Sequence, residues 1–357
     1  MHRSSISRRS IVAGGLALPF AGPSARAQQP TPTIPIADMH FHLRRSAAGE
    51  VEGTPLGAAL AEGGATLVAV TFSSDGPWIE RRERGIFQKS VPEPGASFKR
   101  VQRLLSANRT LVAAQRLKLV TGPSDVDLAL AGTPHVVLAI EGADFIEQEP
   151  ARVTRARDLG LRHLQLVHYI RNSLGDFQTV EPEHKGLSPV GKAVVRECNR
   201  HGILVDLAHC TPAAVADALA VSKVPMVWSH SSLARPEAKP PHWSMVGWKA
   251  RQLTLADARS IARAGGVIGL WALATDIGKS VDRYAQRLNE LAEAIGEDHV
   301  AFGTDLNGLG PFAMMSTYAD VRLAVDALRR LRVPEKRIRK IAIENYARVL
   351  KTALQPT

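Results

Sequence analysis

Eight short apolar runs, rich in Val, Ile and Leu, recur along the chain and limit its fold more than any other feature. They read IPIADMHFHL (34–43), ATLVAVTFS (65–73), HVVLAIEGAD (135–144), LRHLQLVHY (161–169), ILVDLAHC (203–210), PMVWSHSS (225–232), GVIGLWAL (266–273) and VAFGTDL (300–306). Between many of them lie stretches such as SPVGKAVVRECNRHG and TLADARSIARAGG. These carry apolar residues three and four apart and end on glycine, the pattern of an amphipathic helix and its C-cap. Eight alternations of strand and helix predict a parallel, TIM-type (β/α)8 barrel over residues 36–357. A doubly wound open sheet is the rival, but no glycine-rich nucleotide fingerprint follows the first run. A chain of 357 residues suits one such barrel. The connection from 74 to 134, which holds DGPWIERRERGIFQKSVPEPG, is predicted as a loop over the barrel mouth followed by a helix.

Residues 1–27 read as an export signal that is cleaved. MHRSSISRR is basic, SIVAGGLALPFAG apolar, and ARA at 25–27 a small-residue cleavage site. The apolar stretch is too short to span a bilayer stably. SRRSIV is similar to a twin-arginine signal, a route that exports folded, metal-loaded proteins. Residues 28–35 then form a proline-rich linker, and a soluble, periplasmic protein is expected. The formal charge of +11 includes four arginines of this leader, which holds no acid, so about +7 stays with the mature chain. That charge is spread without a basic run or interleaved aromatics, which argues against nucleic-acid binding. Cys198 and Cys210, one in a predicted helix and one at a strand end, are expected to stay buried and free rather than pair.

The polar residues gather at one end of the predicted strands. His40 and His42 end the first run, Glu141 the third, His168 the fourth, His209 the fifth, His230 the sixth and Asp305 the eighth. Residues two apart on a strand share a face, so His40 and His42 can both reach one divalent metal. Taken alone, that pair reads equally well as two hydrogen-bonded surface histidines, and each of the others as an ordinary core residue. Together they fall at the C-terminal ends of barrel strands, where active sites are assembled. A metal site is the reading that explains the coincidence. His163, His184, His242 and His299 are given no catalytic role. Neither is Asp206, which precedes His209 by an odd number and is predicted to face away from the barrel interior.

These runs are joined by IEG (140–142), GLRHLQLVHYIRN (160–172), GLSPVGKAVVRECNRHGILVDLAHC (186–210), WSHSS (228–232), ARQLT (250–254), GGVIGL (265–270), DHVAFGTDLNG (298–308) and ENYARVL (344–350). In their order and spacing the chain resembles the membrane dipeptidase (renal dipeptidase) family of zinc metallopeptidases, within the amidohydrolase superfamily. The resemblance implies two zinc ions bridged by Glu141, one held by His40 and His42 and the other by His209 and His230. Two cations about 3.5 to 4 Å apart lower the pKa of a shared water toward about 7, and the hydroxide so formed attacks a peptide carbonyl. Asp305 is then a metal ligand, a proton shuttle to the leaving amine, or both. His168 is the residue that polarises the carbonyl, Arg251 the clamp on the substrate's C-terminal carboxylate, and Asn172 a substrate-ordering residue. Arg235 competes with Arg251, because RPEAKPPHWSMVGWK (235–249) departs from the family pattern.

The first motif departs too: the family has His-x-Asp where this chain has His40-x-His42. Metal binding survives the change, since an imidazole also ligates, but the centre gains roughly one positive charge. The activity expected is hydrolysis of short peptides with a free C-terminal carboxylate. An amidohydrolase acting on a non-peptide amide or a lactone is the alternative, and a catalytically silent peptide-binding barrel a further one. The resemblance also implies a homodimer. The anchoring tail of the animal members is absent, so no membrane anchor is expected.

Overall fold

The computed structural model describes residues 33–44, 52–82, 85–235 and 246–357. The proposed signal and most of the linker lie outside these residues, as does His242. Eight parallel strands follow the eight apolar runs in chain order: β1 (Ile36–His42), β2 (Ala65–Ser73), β3 (His135–Glu141), β4 (Leu161–Gln165), β5 (Leu204–Asp206), β6 (Val227–Ser231), β7 (Val267–Leu270) and β8 (Val300–Phe302). Each pairs with its neighbour in sequence, the order that successive strand–helix units produce. The barrel nearly closes between its last and first strands. Phe41 bridges Leu306, the Asp305 amide donates to the His40 carbonyl at 3.0 Å, and the His42 amide to the Leu306 carbonyl at 3.0 Å.

Alternation along the strands divides the apolar residues between two layers. Ala37, Met39, Leu67, Ala69, Val137, Ala139, Leu204, Val227, Val267 and Ala301 fill the barrel interior, with Tyr346 from the C-terminal helix Asn345–Ala353. Ile36, Val68, Val70, Val136, Leu138, Ile140, Val205, Ile268 and Phe302 point outward against the helices. The helices form where their patterns and caps predict. Ser188 caps Pro189–His201 by accepting from the Gly191 amide, and Gly202 ends it in the left-handed conformation. Thr254 caps Leu255–Arg263 in the same manner.

Strand β1 breaks the alternation at one place, and the break matters. Strict period two from Ile36 would turn Asp38, His40 and His42 outward. The register with β2 shifts between Asp38 and Phe41, so Phe41 joins the outer layer while His40 and His42 turn inward. Asp38, left between the strands and helices, accepts from the amides of His40 (3.2 Å) and Thr304 (2.9 Å) and from the Thr304 and Tyr318 hydroxyls. It thereby ties the end of β1 to the segment that carries Asp305.

Two expectations are corrected. Residues 79–88 are not a plain loop: Ile79–Arg82 and Gly85–Gln88 pair as an antiparallel hairpin, and the helix that follows is Ala96–Ala114. Asp206 does not face away from the interior. It shares a face with Leu204 and lies 3.3 Å from His163, whose other ring nitrogen is 3.2 Å from the Tyr346 hydroxyl. Counting back from His209 fails because β5 ends at Asp206, and His209 lies beyond it with φ at +71°. Cys198 and Cys210 are buried and free.

Candidate metal centre

The strand-end residues converge on Glu141. Its Oε1 lies 3.2 Å from His168 Nε2, 3.4 Å from His209 Nε2, 3.5 Å from His40 Nε2 and 3.7 Å from His230 Nε2. Its Oε2 accepts from the Ser73 hydroxyl at 2.8 Å and lies 3.7 Å from His42 Nε2. His42 Nε2 is 3.3 Å from Asp305 Oδ1 and 3.0 Å from His40 Nε2. Ligand atoms fall into three overlapping groups, each within 4.8 Å: His40, Glu141 and His230; His40, His42 and Asp305; Glu141, His168 and His209.

The backbone is bent to make this arrangement. His209 and Asp305 both have φ in the left-handed region, at +71° and +55°. Neither is glycine, and such residues cost of order 1–3 kcal/mol each and cluster at functional sites. Gly308 is required by close approach, since a Cβ there would collide with the Asp305 carboxylate and come 2.6 Å from His42 Cδ2. Gly142, at φ +89°, lets the chain turn beneath His168.

Electrostatics suit a divalent cation. Burial pushes His40 down to about 4. Burial with the Arg251 charge holds His209 well below its ordinary value, and burial with His40 and Arg251 does the same for His230. These three imidazoles are neutral at pH 7, as metal ligands must be. Burial opposes charge on Glu141, but the surrounding imidazoles, His168 and His40 foremost, hold it well below the usual carboxylate range. Burial opposes protonation of His168, but Asp75 and Glu141 raise it well above its ordinary value. For His42, Asp305 and Glu141 outweigh burial and raise it. Both ring nitrogens of His209 are buried without a hydrogen-bond partner. An orphaned buried polar atom costs about 1–3 kcal/mol, and a bound metal removes that cost at one nitrogen. The donor set therefore fits a metal.

A cleft of about 950 Å³ opens above the cluster and is lined by His42, Glu141, His168, His209, His230, Asp305 and Arg251 among others. Arg251 is buried, with Nη2 3.0 Å from His230 Nε2, Nη1 3.2 Å from the Tyr169 hydroxyl, and its guanidinium over the Tyr169 and Trp271 rings. Among the described residues no carboxylate pairs with it. Asn172 is not brought to the cleft: its side chain donates to the Leu166 carbonyl and accepts from the Leu174 amide. Arg235 lies 3.5 Å from Glu290 instead. Sequence reasoning missed Asp75, whose Oδ1 is 2.7 Å from His168 Nδ1 and whose Oδ2 accepts from the Tyr169 amide. It lies two residues past β2, the same strand-end signal that marked the others. Tyr169 was missed as well, as was Ser229, whose hydroxyl lies 2.9 Å from His230 Nδ1, and no chemical signature distinguishes them in the sequence.

Fold and site together define an α/β barrel built to hold metal. The chain belongs to the membrane dipeptidase family (peptidase family M19), whose profile matches residues 37–356. It is 32% identical over 203 residues to dipeptidase tcpJ of Claviceps purpurea, covering 54% of this chain and 45% of that protein. It is 30% identical over 249 residues to dipeptidase ataJ of Aspergillus terreus, covering 62% and 58%. The chain thus spans about half the length of the curated relatives it matches. In fold it is similar to a metallopeptidase of Rhodobacter sphaeroides solved with a phosphinate mimic of the dipeptide L-Ala-D-Ala. That match has a TM-score of 0.70 at 21% identity and covers 90% of this chain and 99% of the other.

Proposed function

We propose that this chain is a zinc-dependent dipeptidase that cleaves short peptides carrying a free C-terminal carboxylate. The observation that supports it best is one buried carboxylate, Glu141, ringed by imidazoles from four strand ends at the floor of a cleft that also presents Arg251, which pairs with no carboxylate among the described residues. In this reading two zinc ions are held by His40, His42, Glu141, His209, His230 and Asp305. Bound zinc would supply a nucleophilic oxygen at neutral pH and polarise the carbonyl.

The chain's own residues do the rest. Asp305, the most accessible carboxylate of the cluster, takes the proton from the attacking water and returns it to the leaving amine as the C–N bond breaks. His168, held by Asp75 on one nitrogen, offers the other to the oxyanion that forms at the carbonyl. Arg251 fixes the leaving residue's carboxylate through two parallel charged hydrogen bonds. A silent peptide-binding barrel would need neither the neutral histidines nor the strained Asp305. Two further parts of the reading go with it: residues 1–27 are removed on export to the periplasm, and two copies assemble as a dimer. Among the described residues no helix is long and apolar enough to cross a membrane.

The test is a panel of L,L-, L,D- and D,D-dipeptides with zinc, manganese or cobalt supplied. Turnover that a chelator abolishes and metal restores is expected. No turnover across the panel removes the dipeptidase reading.

A further inference from the structure

We infer that the acyl half of the preferred substrate is a large apolar group without a charged amine, as in an N-acyl amino acid. The inference rests on the proposed hydrolysis of an amide bond beside a free C-terminal carboxylate, and it narrows the acyl side of that bond. Shape is the first ground. At about 950 Å³ the cleft is at the upper end of what drug-sized ligands occupy, far more than two small residues fill. Away from the metal cluster its walls include Leu43, Ile79, Ile86, Trp248, Leu309 and Phe312. Of the hairpin, Ile79, Ile86 and Phe87 line the cleft together with Arg81, while Glu80 is engaged with Arg82.

Charge is the second ground. Among the described residues three carboxylates border the cleft: Glu141, Asp305 and Glu181. Glu141 is already shared by the imidazoles around it, and Asp305 Oδ1 lies 3.3 Å from His42 Nε2. Glu181 is exposed. Arg251 and Arg81 add two cations to the same walls. The α-ammonium of a dipeptide is one carbon from the scissile carbonyl, so it must enter beside the cluster. There it finds no carboxylate of its own, and a cation taken from water without a counter-ion is penalised. An uncharged acyl chain avoids that penalty and gains apolar contact with the wall.

Three substrates test this on the full, zinc-loaded chain, each with L- and D-alanine as the leaving residue. They are 3-phenylpropanoyl-alanine, phenylalanyl-alanine, which differs only by the ammonium, and acetyl-alanine, which lacks the bulk. Expected is a kcat/KM for 3-phenylpropanoyl-alanine at least tenfold above both others. The same order is expected in binding to metal-free protein, read from the fluorescence of Trp248 and Trp271. Equal or faster cleavage of phenylalanyl-alanine overturns the inference and leaves the dipeptidase reading standing. Equal cleavage of acetyl-alanine does the same, because the wall is then unused. Cleavage of none of the three overturns the inference, and the dipeptide panel then decides the dipeptidase reading separately. In Ile86→Glu, which puts a carboxylate on the wall, the preference should move at least tenfold toward phenylalanyl-alanine, and an unmoved ratio also overturns it.

Discussion

The Nε2 atoms of His40 and His42 lie 3.0 Å apart, and both approach Asp305 Oδ1, at 4.0 and 3.3 Å. Two imidazoles so close cannot both be protonated without strong repulsion. One can donate to the other, or both can give their lone pairs to one cation that Asp305 also ligates.

His42→Ala is therefore expected to strip one metal from the pair and leave the other, held by Glu141, His209 and His230, in place. His42→Asp, which recreates the family's His-x-Asp, should tighten the metal that His40 shares by adding an anionic ligand. Metal content by mass spectrometry after dialysis, for wild type and both variants, is the measurement. If His42→Ala keeps two metals at wild-type affinity, His42 is not a ligand.

Much of this was legible in the sequence because barrel strands announce themselves twice, by buried apolar runs and by the polar residues that end them. The eight runs coincide with the eight strands, and those polar residues meet around Glu141. The illegible parts depended on local backbone. His40 and His42 face inward only through the register shift in β1, and periodicity alone would have turned them toward the helices. Asp206 was misplaced for the same reason, since odd-and-even counting does not survive the turn that puts His209 at φ +71°. The hairpin at 79–88 escaped because its residues carry no alternating apolar pattern.

Ser229 is expected to set the orientation of two imidazoles at once. Its hydroxyl lies 2.9 Å from His230 Nδ1 and 3.3 Å from His40 Nδ1. A neutral histidine that offers Nε2 to a metal carries its proton on Nδ1, and one hydroxyl oxygen has two lone pairs to receive both. Partners of this kind are worth about 10- to 100-fold in metal affinity. Ser229→Ala should weaken binding at the centre by that factor, measured by competition with a chromophoric chelator. Unchanged affinity in a folded variant would falsify the role.

Asp144 should make stability fall as pH rises. It is buried between the Ser74 and Ser97 hydroxyls, and burial, with the nearby Asp75 charge, raises its pKa to about 7 from an ordinary 3.8. A carboxyl raised in the folded state binds its proton more tightly there than when unfolded. The stability it contributes is complete below about pH 4 and is lost as pH climbs through 7, by at most about 4 kcal/mol. Asn in its place can donate to one serine and accept from the other without ionising. Asp144→Asn should thus gain in Tm over wild type progressively from pH 5 to pH 8. A constant difference across that range would show that Asp144 does not titrate there.

Arg251 carries the last expectation, which comes from its competition with metal. Its Nη2 is 3.0 Å from His230 Nε2, the lone pair that a metal would take. Once metal holds that nitrogen, the guanidinium loses a neutral acceptor and faces the cleft with its charge unpaired, over Tyr169 and Trp271. A substrate carboxylate is then its natural partner, through two parallel hydrogen bonds worth about 1.5–3 kcal/mol each when charged. Arg251→Ala should raise KM tenfold or more for substrates ending in a free carboxylate and change it little for the corresponding C-terminal amides. Steady-state kinetics on matched acid and amide pairs measures the difference. Equal losses on both would mean that Arg251 supports the pocket without reading the carboxylate. Arg235, engaged with Glu290, would then be the next residue to replace.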